Sequence, residues 1–124
     1  MKKIIFSFLG AILAVGIFYG CDRQSDQAST DEIKIGVILG FTGPIESLTP
    51  TMASSAELAM KEVSDSGLLL GGASVSSVRA DSTCVDAGAA TSAAERLVTS
   101  DNVAAIMGAD CSGVTTAIAN NVAV

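Results

Sequence analysis

The sequence contains no histidine, and this absence removes most of the familiar enzymatic and metal-binding arrangements. Serine and threonine are frequent, yet no histidine is present to act as their base, and no Cys-His pair or zinc-ligand spacing occurs. A Walker loop is also missing. The sequence therefore offers no recognisable catalytic arrangement and no metal-ligand spacing, so we assign no catalytic residue, no metal site and no cofactor.

No apolar run is long enough to cross a bilayer as a mature helix. The longest extends from Ile4 to Phe18, fifteen positions, whereas a membrane-spanning helix needs roughly 20. Lys2 and Lys3 precede this run. A basic start followed by a short apolar core is typical of a signal peptide, so we predict a signal helix over residues 1–20.

Cys21 directly follows a small residue, Gly20, at the end of this segment. The arrangement resembles the lipobox of bacterial lipoproteins, which implies that Cys21 is acylated and anchors the chain to a membrane. Asp22 is similar to the signal that retains lipoproteins at the inner membrane of enteric bacteria. Phe18 and Tyr19 depart from the usual Leu and Ala or Ser, so ordinary cleavage and an uncleaved anchor stay open as alternatives.

Basic residues are scarce throughout the mature part of the chain. Removal of residues 1–20 leaves five basic residues against thirteen acidic ones, a net charge of −8. Such a surface repels nucleic acid and anionic lipid, so we predict no nucleic-acid partner. Residues 21–32 are predicted to form the lipid attachment and a flexible polar tether, which leaves residues 33–124 for one small core.

Three cysteines are an awkward number for an exported chain unless one of them has a separate role. If Cys21 carries lipid, Cys84 and Cys111 remain to pair. A bridge between them would close a loop of 27 residues and stabilise the fold by roughly 3 to 4 kcal/mol on the chain-entropy estimate. The alternative is two buried free thiols.

From residue 33 onward, short apolar runs alternate with amphipathic stretches, which is typical of βαβ units. Strands are predicted at residues 33–39, 73–79 and 103–108, and helices at residues 50–66, at 87–100 and from 114 onward. The predicted fold class is α/β, a partial doubly wound parallel sheet in the order βαβαβα. Because the pattern stops within a unit, we expect a fragment of a longer protein.

Local signals define the first helix. Thr49 offers a capping hydroxyl directly before Pro50 at the first helical position, and Gly67 supplies the left-handed residue that ends the helix. Glu57 and Lys61 are four residues apart and are expected to pair on the helix surface.

The predicted binding region lies at the carboxyl ends of the strands, where open α/β sheets bind their ligands. Two loops fall there, residues 40–48 and 109–113. Ser112 sits at a helix start, where its hydroxyl and free amides can hold a carboxylate, although spacing alone favours simple capping of its own helix. The glycines at 36–43 do not fit a dinucleotide fingerprint, because their spacing differs and Pro44 removes an amide.

Five segments, taken in order, carry a more specific pattern: IGVILGFTGP (35–44), ELAMKEV (57–63), DSTC (81–84), AAERLV (93–98) and IMGADCS (106–112). Together they resemble the N-terminal region of the leucine/isoleucine/valine-binding family of periplasmic receptors. The resemblance covers residues 33–124. It implies the first part of lobe 1 of a two-lobed protein that closes on a solute and delivers it to an ABC-transporter permease.

The resemblance also implies roles for individual residues. Cys84 and Cys111 match a disulfide of the family's amino-acid binders, and Ser112 matches the serine that holds the ligand carboxylate, with Gly113 beside it. The implied ligand is a branched-chain amino acid or a related small carboxylate or amide. The wider range is kept because Leu48 stands where amino-acid-binding relatives often have an aromatic side chain against the ligand. A sensory receptor, an enzyme with catalytic residues beyond residue 124, and a non-functional remnant stay open as alternatives.

Overall fold

The structure is a computed structural model, and it describes residues 31–123. The predicted signal helix and the lipidation at Cys21 lie outside the described residues, as does the tether up to residue 30. The elements in chain order are β1 (Glu32–Leu39), α1 (Thr49–Ser66), a 3-10 turn (Leu69–Gly71), β2 (Ser74–Asp81), α2 (Ala87–Thr99), β3 (Ala105–Gly108) and α3 (Ser112–Asn121).

The three strands form one parallel sheet in the order β2-β1-β3. β1 pairs with β2 from Glu32 opposite Ser74 to Leu39 opposite Asp81. On its other side, β1 pairs with β3 from Ile35 opposite Ala105 onward. The predicted α/β class with a parallel sheet is confirmed.

β1 is the centre of the molecule because helices cover it on both faces. Val37 and Leu39 pack with Ala53 of α1. The intervening Ile38 belongs to the opposite cluster, which joins α2 and α3 through Ala90, Ala94, Leu97, Val114 and Ile118. Burial on both faces explains why the sequence of β1 is apolar almost without interruption.

Two glycines let backbone and side chains approach this strand closely. A Cβ on Gly36 would lie 2.8 Å from Cδ1 of Leu97, so the missing side chain makes room for α2. Gly108 has a φ of +120°, and a Cβ there would lie 1.9 Å from the carbonyl oxygen of Ile38. The end of β3 can therefore follow β1 only with glycine at this position.

The strand and helix boundaries differ from the prediction at several places. β3 begins at Ala105 rather than at residue 103, because Asn102 takes a left-handed φ of 54° and the Val103 amide turns back to the Leu97 carbonyl. β2 extends to Asp81, beyond the predicted residue 79. α3 begins at Ser112, two residues earlier than predicted.

The predicted N-terminal cap of α1 is wrong. Thr49 does not cap the helix: its buried hydroxyl donates instead to the carbonyl oxygens of Gly40 and Glu46, at 3.1 and 3.4 Å. Gly67 does end the helix in the left-handed conformation, as expected.

The predicted pair of Glu57 with Lys61 is also absent, since Lys61 pairs with Asp65 and Glu57 with Arg79 of β2. The planar guanidinium of Arg79 donates to both oxygens of the Glu57 carboxylate, at 2.7 Å each. The ammonium of Lys61 could not form such a two-bond pair, because it is a point charge on a flexible side chain. Within residues 31–123, no helix is long and apolar enough to cross a membrane.

We predict that Gly108→Ala lowers the free energy of unfolding by more than about 3 kcal/mol, because the new methyl group meets the backbone of β1. Urea denaturation would measure the change. Gly72→Ala is a matched control, since Gly72 also has a positive φ, +109°, but has open space around its Cα. It should cost only the backbone strain, about 1–2 kcal/mol, and equal losses in the two variants would contradict the close approach at Gly108.

Candidate ligand-binding site

The carboxyl ends of the three strands lie together at one edge of the sheet, because the strands are parallel. Three connections follow them: loop one (residues 40–48), loop two (82–86) and loop three (109–111). From the central β1, the chain crosses first to β2 on one side and then to β3 on the other. Loops one and three therefore flank the point where the strand order reverses, which is where open α/β sheets hold ligands.

Helix α3 starts at this edge with Cys111 as its N-cap residue, and the Cys111 side chain makes no capping hydrogen bond. The first backbone bond of the helix runs from the Thr115 amide to the Cys111 carbonyl oxygen, at 3.0 Å. The three preceding amides, 112–114, have no acceptor in the helix. Ser112 and Gly113 are both exposed, and Ser112, the first residue inside the helix, is not its capping residue.

Leu48 lies at the opposite end of loop one, at the N-cap position of α1, with 60% of its surface exposed. The three residues predicted to bind ligand, Leu48, Ser112 and Gly113, thus follow two strands that are neighbours in the sheet. Their contact with a solute stays a prediction.

Cys84 and Cys111 form a disulfide, with their Cα atoms 5.2 Å apart. The predicted pairing is confirmed, and the alternative of two free thiols is wrong. The bridge joins loop two to Cys111, the N-cap residue of α3. It therefore fixes the start of the helix relative to the end of β2.

Asp81, the last residue of β2, accepts hydrogen bonds from loop one. The Thr42 hydroxyl donates to its carboxylate at 2.6 Å and the Thr42 amide at 3.3 Å, and the Thr83 amide donates at 2.8 Å. Partial burial tends to raise the pKa of Asp81, but these hydrogen bonds outweigh it and lower the pKa below 3.8. The carboxylate is accordingly ionised at neutral pH.

Asp110 in loop three is a second carboxylate that binds loop one. Its two oxygens accept the Gly40 amide at 2.9 and 3.2 Å, and one of them also accepts the Ser82 hydroxyl at 3.4 Å. Sequence reasoning assigned no role to Asp110. The signal was its position, an acid immediately after a strand in the segment IMGADCS.

Phe41 in loop one makes a cation–π contact with Arg79. The guanidinium carbon of Arg79 is 5.6 Å from the centre of the Phe41 ring, and Glu57 holds the same guanidinium. The hydrogen bonds from Arg79 lower the pKa of Glu57, partial desolvation opposes this, and the Ser77 hydroxyl adds to the lowering. Loop one is thus held by side chains of β2, α1 and loop three.

Comparison with known proteins identifies the fold. A family model described as periplasmic binding protein matches residues 32–124. The chain belongs to the periplasmic binding protein family. Within residues 31–123, no group of three or more histidine, cysteine or acidic side chains is arranged to hold a metal ion.

Solved structures similar to the chain include leucine- and branched-chain amino acid-binding members of the family, which confirms the resemblance. A leucine-binding protein from Thermotoga maritima is 30% identical over 71% of this chain, with a TM-score of 0.60. A branched-chain amino acid transporter substrate-binding protein from Streptococcus pneumoniae, in complex with isoleucine, is 28% identical over 75%, with a TM-score of 0.66.

A third structure widens the range of ligands in the family. It is an ABC-transporter solute-binding protein from R. palustris in complex with benzoate, 27% identical over 72% of this chain, with a TM-score of 0.60. The chain covers 24%, 26% and 24% of these three relatives. It therefore spans about a quarter of their length. No curated protein compared with the chain matches it.

We predict that reducing the disulfide lowers the free energy of unfolding by roughly 3 to 4 kcal/mol, because the unfolded chain gains the entropy of a 27-residue loop. The measurement is urea denaturation with and without dithiothreitol. Cys21→Ser should show the same loss on reduction, whereas Cys84→Ser/Cys111→Ser should be insensitive to the reductant. An undiminished stability after complete reduction would contradict the role of the bridge.

A second prediction concerns the titration of Asp81. Its lowered pKa means that its ionised form contributes stability above pH 3.8, and that this contribution is lost as the pH falls through the folded-state pKa. Thr42→Val removes the hydroxyl that is the largest of the lowering causes. The pKa of Asp81, followed by carboxyl-carbon NMR, should rise toward 3.8 in this variant, and an unchanged pKa would contradict the assignment.

Proposed function

We propose that this chain forms one wall of a solute-binding cleft, and that the protein to which it belongs captures a small carboxylate for an ABC-transporter permease. The observation that carries the proposal is the uncapped start of α3 at the point where the strand order reverses. Its amides 112–114 and the Ser112 hydroxyl are donors that suit a carboxylate. The positive end of the helix dipole adds to their attraction for an anion.

The positions of the basic side chains support the proposal that backbone amides, rather than a Lys or Arg side chain, bind the ligand carboxylate. Among residues 31–123, three of the four basic side chains already pair with carboxylates of the chain, in Lys61–Asp65, Arg79–Glu57 and Arg96–Asp101. The fourth, Lys34, lies near the amino end of β1, away from the carboxyl edge of the sheet. A bound carboxylate at the start of α3 would thus meet N–H and O–H donors.

The proposed ligand class is a small carboxylate with an apolar body. The three relatives are a leucine-binding protein, a complex with isoleucine and a complex with benzoate, and these three compounds share one carboxylate and an apolar group. Leu48 offers an exposed apolar side chain in loop one that suits such a body. Branched-chain amino acids remain the first choice, and aromatic acids fall within the same chemistry.

The partners and the location follow from the same proposal. The permease of an ABC transporter would receive the solute at the extracytoplasmic face of the cell membrane, where acylated Cys21 would anchor the protein. We assign no catalytic step to the chain, since the groups at this edge are donors and acceptors suited to reversible binding. The disulfide between Cys84 and Cys111 suits an oxidising compartment.

We predict that L-isoleucine shifts the amide resonances of residues 112–114 in an NMR titration of the ¹⁵N-labelled chain. One wall of a cleft makes few contacts, so we expect a dissociation constant on the order of 1 mM or weaker, about −4 kcal/mol. Benzoate should shift the same amides. L-isoleucinol has the same side chain without the carboxylate and should leave these three resonances unchanged.

The matched variants for this titration are Ser112→Ala and Ser92→Ala. Loss of the Ser112 hydroxyl removes a donor to a charged group, which should weaken binding about tenfold or more. Ser92 is also an exposed serine, lies within α2 and should leave the affinity unchanged. Equal responses to L-isoleucine and L-isoleucinol, or no response of residues 112–114 to either acid, would refute the carboxylate site.

A further inference from the structure

Loop one is hydrogen-bonded to loop three through Asp110, a residue that the sequence analysis did not assign to the site. Gly40 is the first residue after β1, and its amide donates to both oxygens of Asp110. Asp110 lies in loop three, directly before Cys111 and Ser112. One segment of three residues therefore holds loop one, carries the disulfide and begins the helix whose amides face the proposed solute.

Gly40 is enclosed, so its amide depends on this carboxylate. It is buried, and a Cβ on it would lie 3.2 Å from the Cβ of Cys84 and 3.3 Å from Cγ1 of Ile45. Its carbonyl oxygen accepts the hydroxyl of Thr49 from α1. Both backbone polar groups of Gly40 are thus bound by side chains of other segments, and the direction of loop one is set at this residue.

Loop two takes part in the same arrangement. The hydroxyl of Ser82 donates to Asp110 at 3.4 Å, and the Ser82 amide donates to the Leu39 carbonyl oxygen at 2.9 Å. Ser82 is completely buried. Asp110 therefore contacts the first residue of loop one and the first residue of loop two, each directly beyond a strand.

We propose that Asp110 is a positioning residue that holds loop one in its binding geometry before a solute arrives. The inference rests on the proposed function for its purpose, but the arrangement itself is independent of any ligand. Leu48 is the last residue of loop one and Ser112 directly follows loop three, so the Gly40–Asp110 hydrogen bonds set how these two residues lie relative to each other. A loop ordered in advance spares the solute the entropy of ordering it, which raises affinity.

The test compares Asp110→Ala with Asp110→Asn. Alanine leaves the buried Gly40 amide without an acceptor, whereas the asparagine oxygen can still accept it. Hydrogen exchange of the Gly40 amide, measured by NMR on the chain without ligand, should become about tenfold faster or more in Asp110→Ala. It should return to nearly the original rate in Asp110→Asn.

Asp86→Ala is the matched control for general destabilisation. Asp86 is also an aspartate that accepts one backbone amide, that of Ala89 at 2.9 Å, but that amide belongs to α2, which Asp86 caps. It should leave exchange at Gly40 slow. Exchange at Val37 and Ile38 in the core strand reports separately on whether each variant is folded.

Binding of L-isoleucine provides the second readout. Asp110→Ala should weaken it several-fold and Asp110→Asn should restore it, because the ordering cost returns to the binding step only in the alanine variant. Unchanged Gly40 exchange in Asp110→Ala overturns the proposal, and so does faster exchange with unchanged affinity. If the unsubstituted chain binds no acid, the proposed function fails, while exchange at Gly40 still decides whether Asp110 orders the loop.

Discussion

Burial of β1 on both faces is the constraint on which the rest of the structure depends. Val37 and Leu39 must be covered from one side and Ile38 from the other, so α1 packs on one face and α2 with α3 on the opposite face. The chain must then continue from β1 to β2 on one side of β1 and from β2 to β3 on the other side. β1 becomes central, and loops one and three are brought to the same edge.

Two carboxylates act as hydrogen-bond acceptors at the carboxyl edge of the sheet. The chain is acidic, so the proposed carboxylate ligand has to bind despite a net negative charge on the protein. Asp81 and Asp110 are occupied by donors from loops one and two. Hydrogen bonding of this kind disperses part of their charge, and water with salt screens the remaining surface charge beyond roughly 8 Å. The nearest donors, rather than the net charge, would therefore govern the approach of a solute to the start of α3.

Sequence periodicity was sufficient for the strands, the helices and the parallel sheet, because burial on one or two faces imposes a period that can be read directly. The pairing of Cys84 with Cys111 was also accessible, through cysteine number and the family resemblance. The misassigned residues were polar. Thr49 offered a helix cap and Glu57 a partner four residues away, yet both bind groups that only the folded chain brings near.

Asp110 was missed for the same reason, and more completely. Its partner Gly40 is 70 residues away in the sequence, and a glycine amide has no side chain to signal that it needs an acceptor. The one available indication is position. Asp110 follows β3, a neighbour of the central strand β1, so it lies beside the first amide of the loop that follows β1. Topology has to be known before that hint can be used.

The disulfide and the uncapped start of α3 share one residue, Cys111, which stands at the position that a capping side chain usually occupies. Helices usually begin with Ser, Thr, Asp or Asn, whose side-chain oxygen occupies a free amide of the first turn. Here the capping position is Cys111, and its sulfur is bonded to Cys84, so it makes no capping hydrogen bond and leaves those amides free. The serine stands one residue later, where its hydroxyl adds a donor beside the amides. The disulfide-bonded residue thus also leaves uncapped the helix start at which we propose that a carboxylate binds.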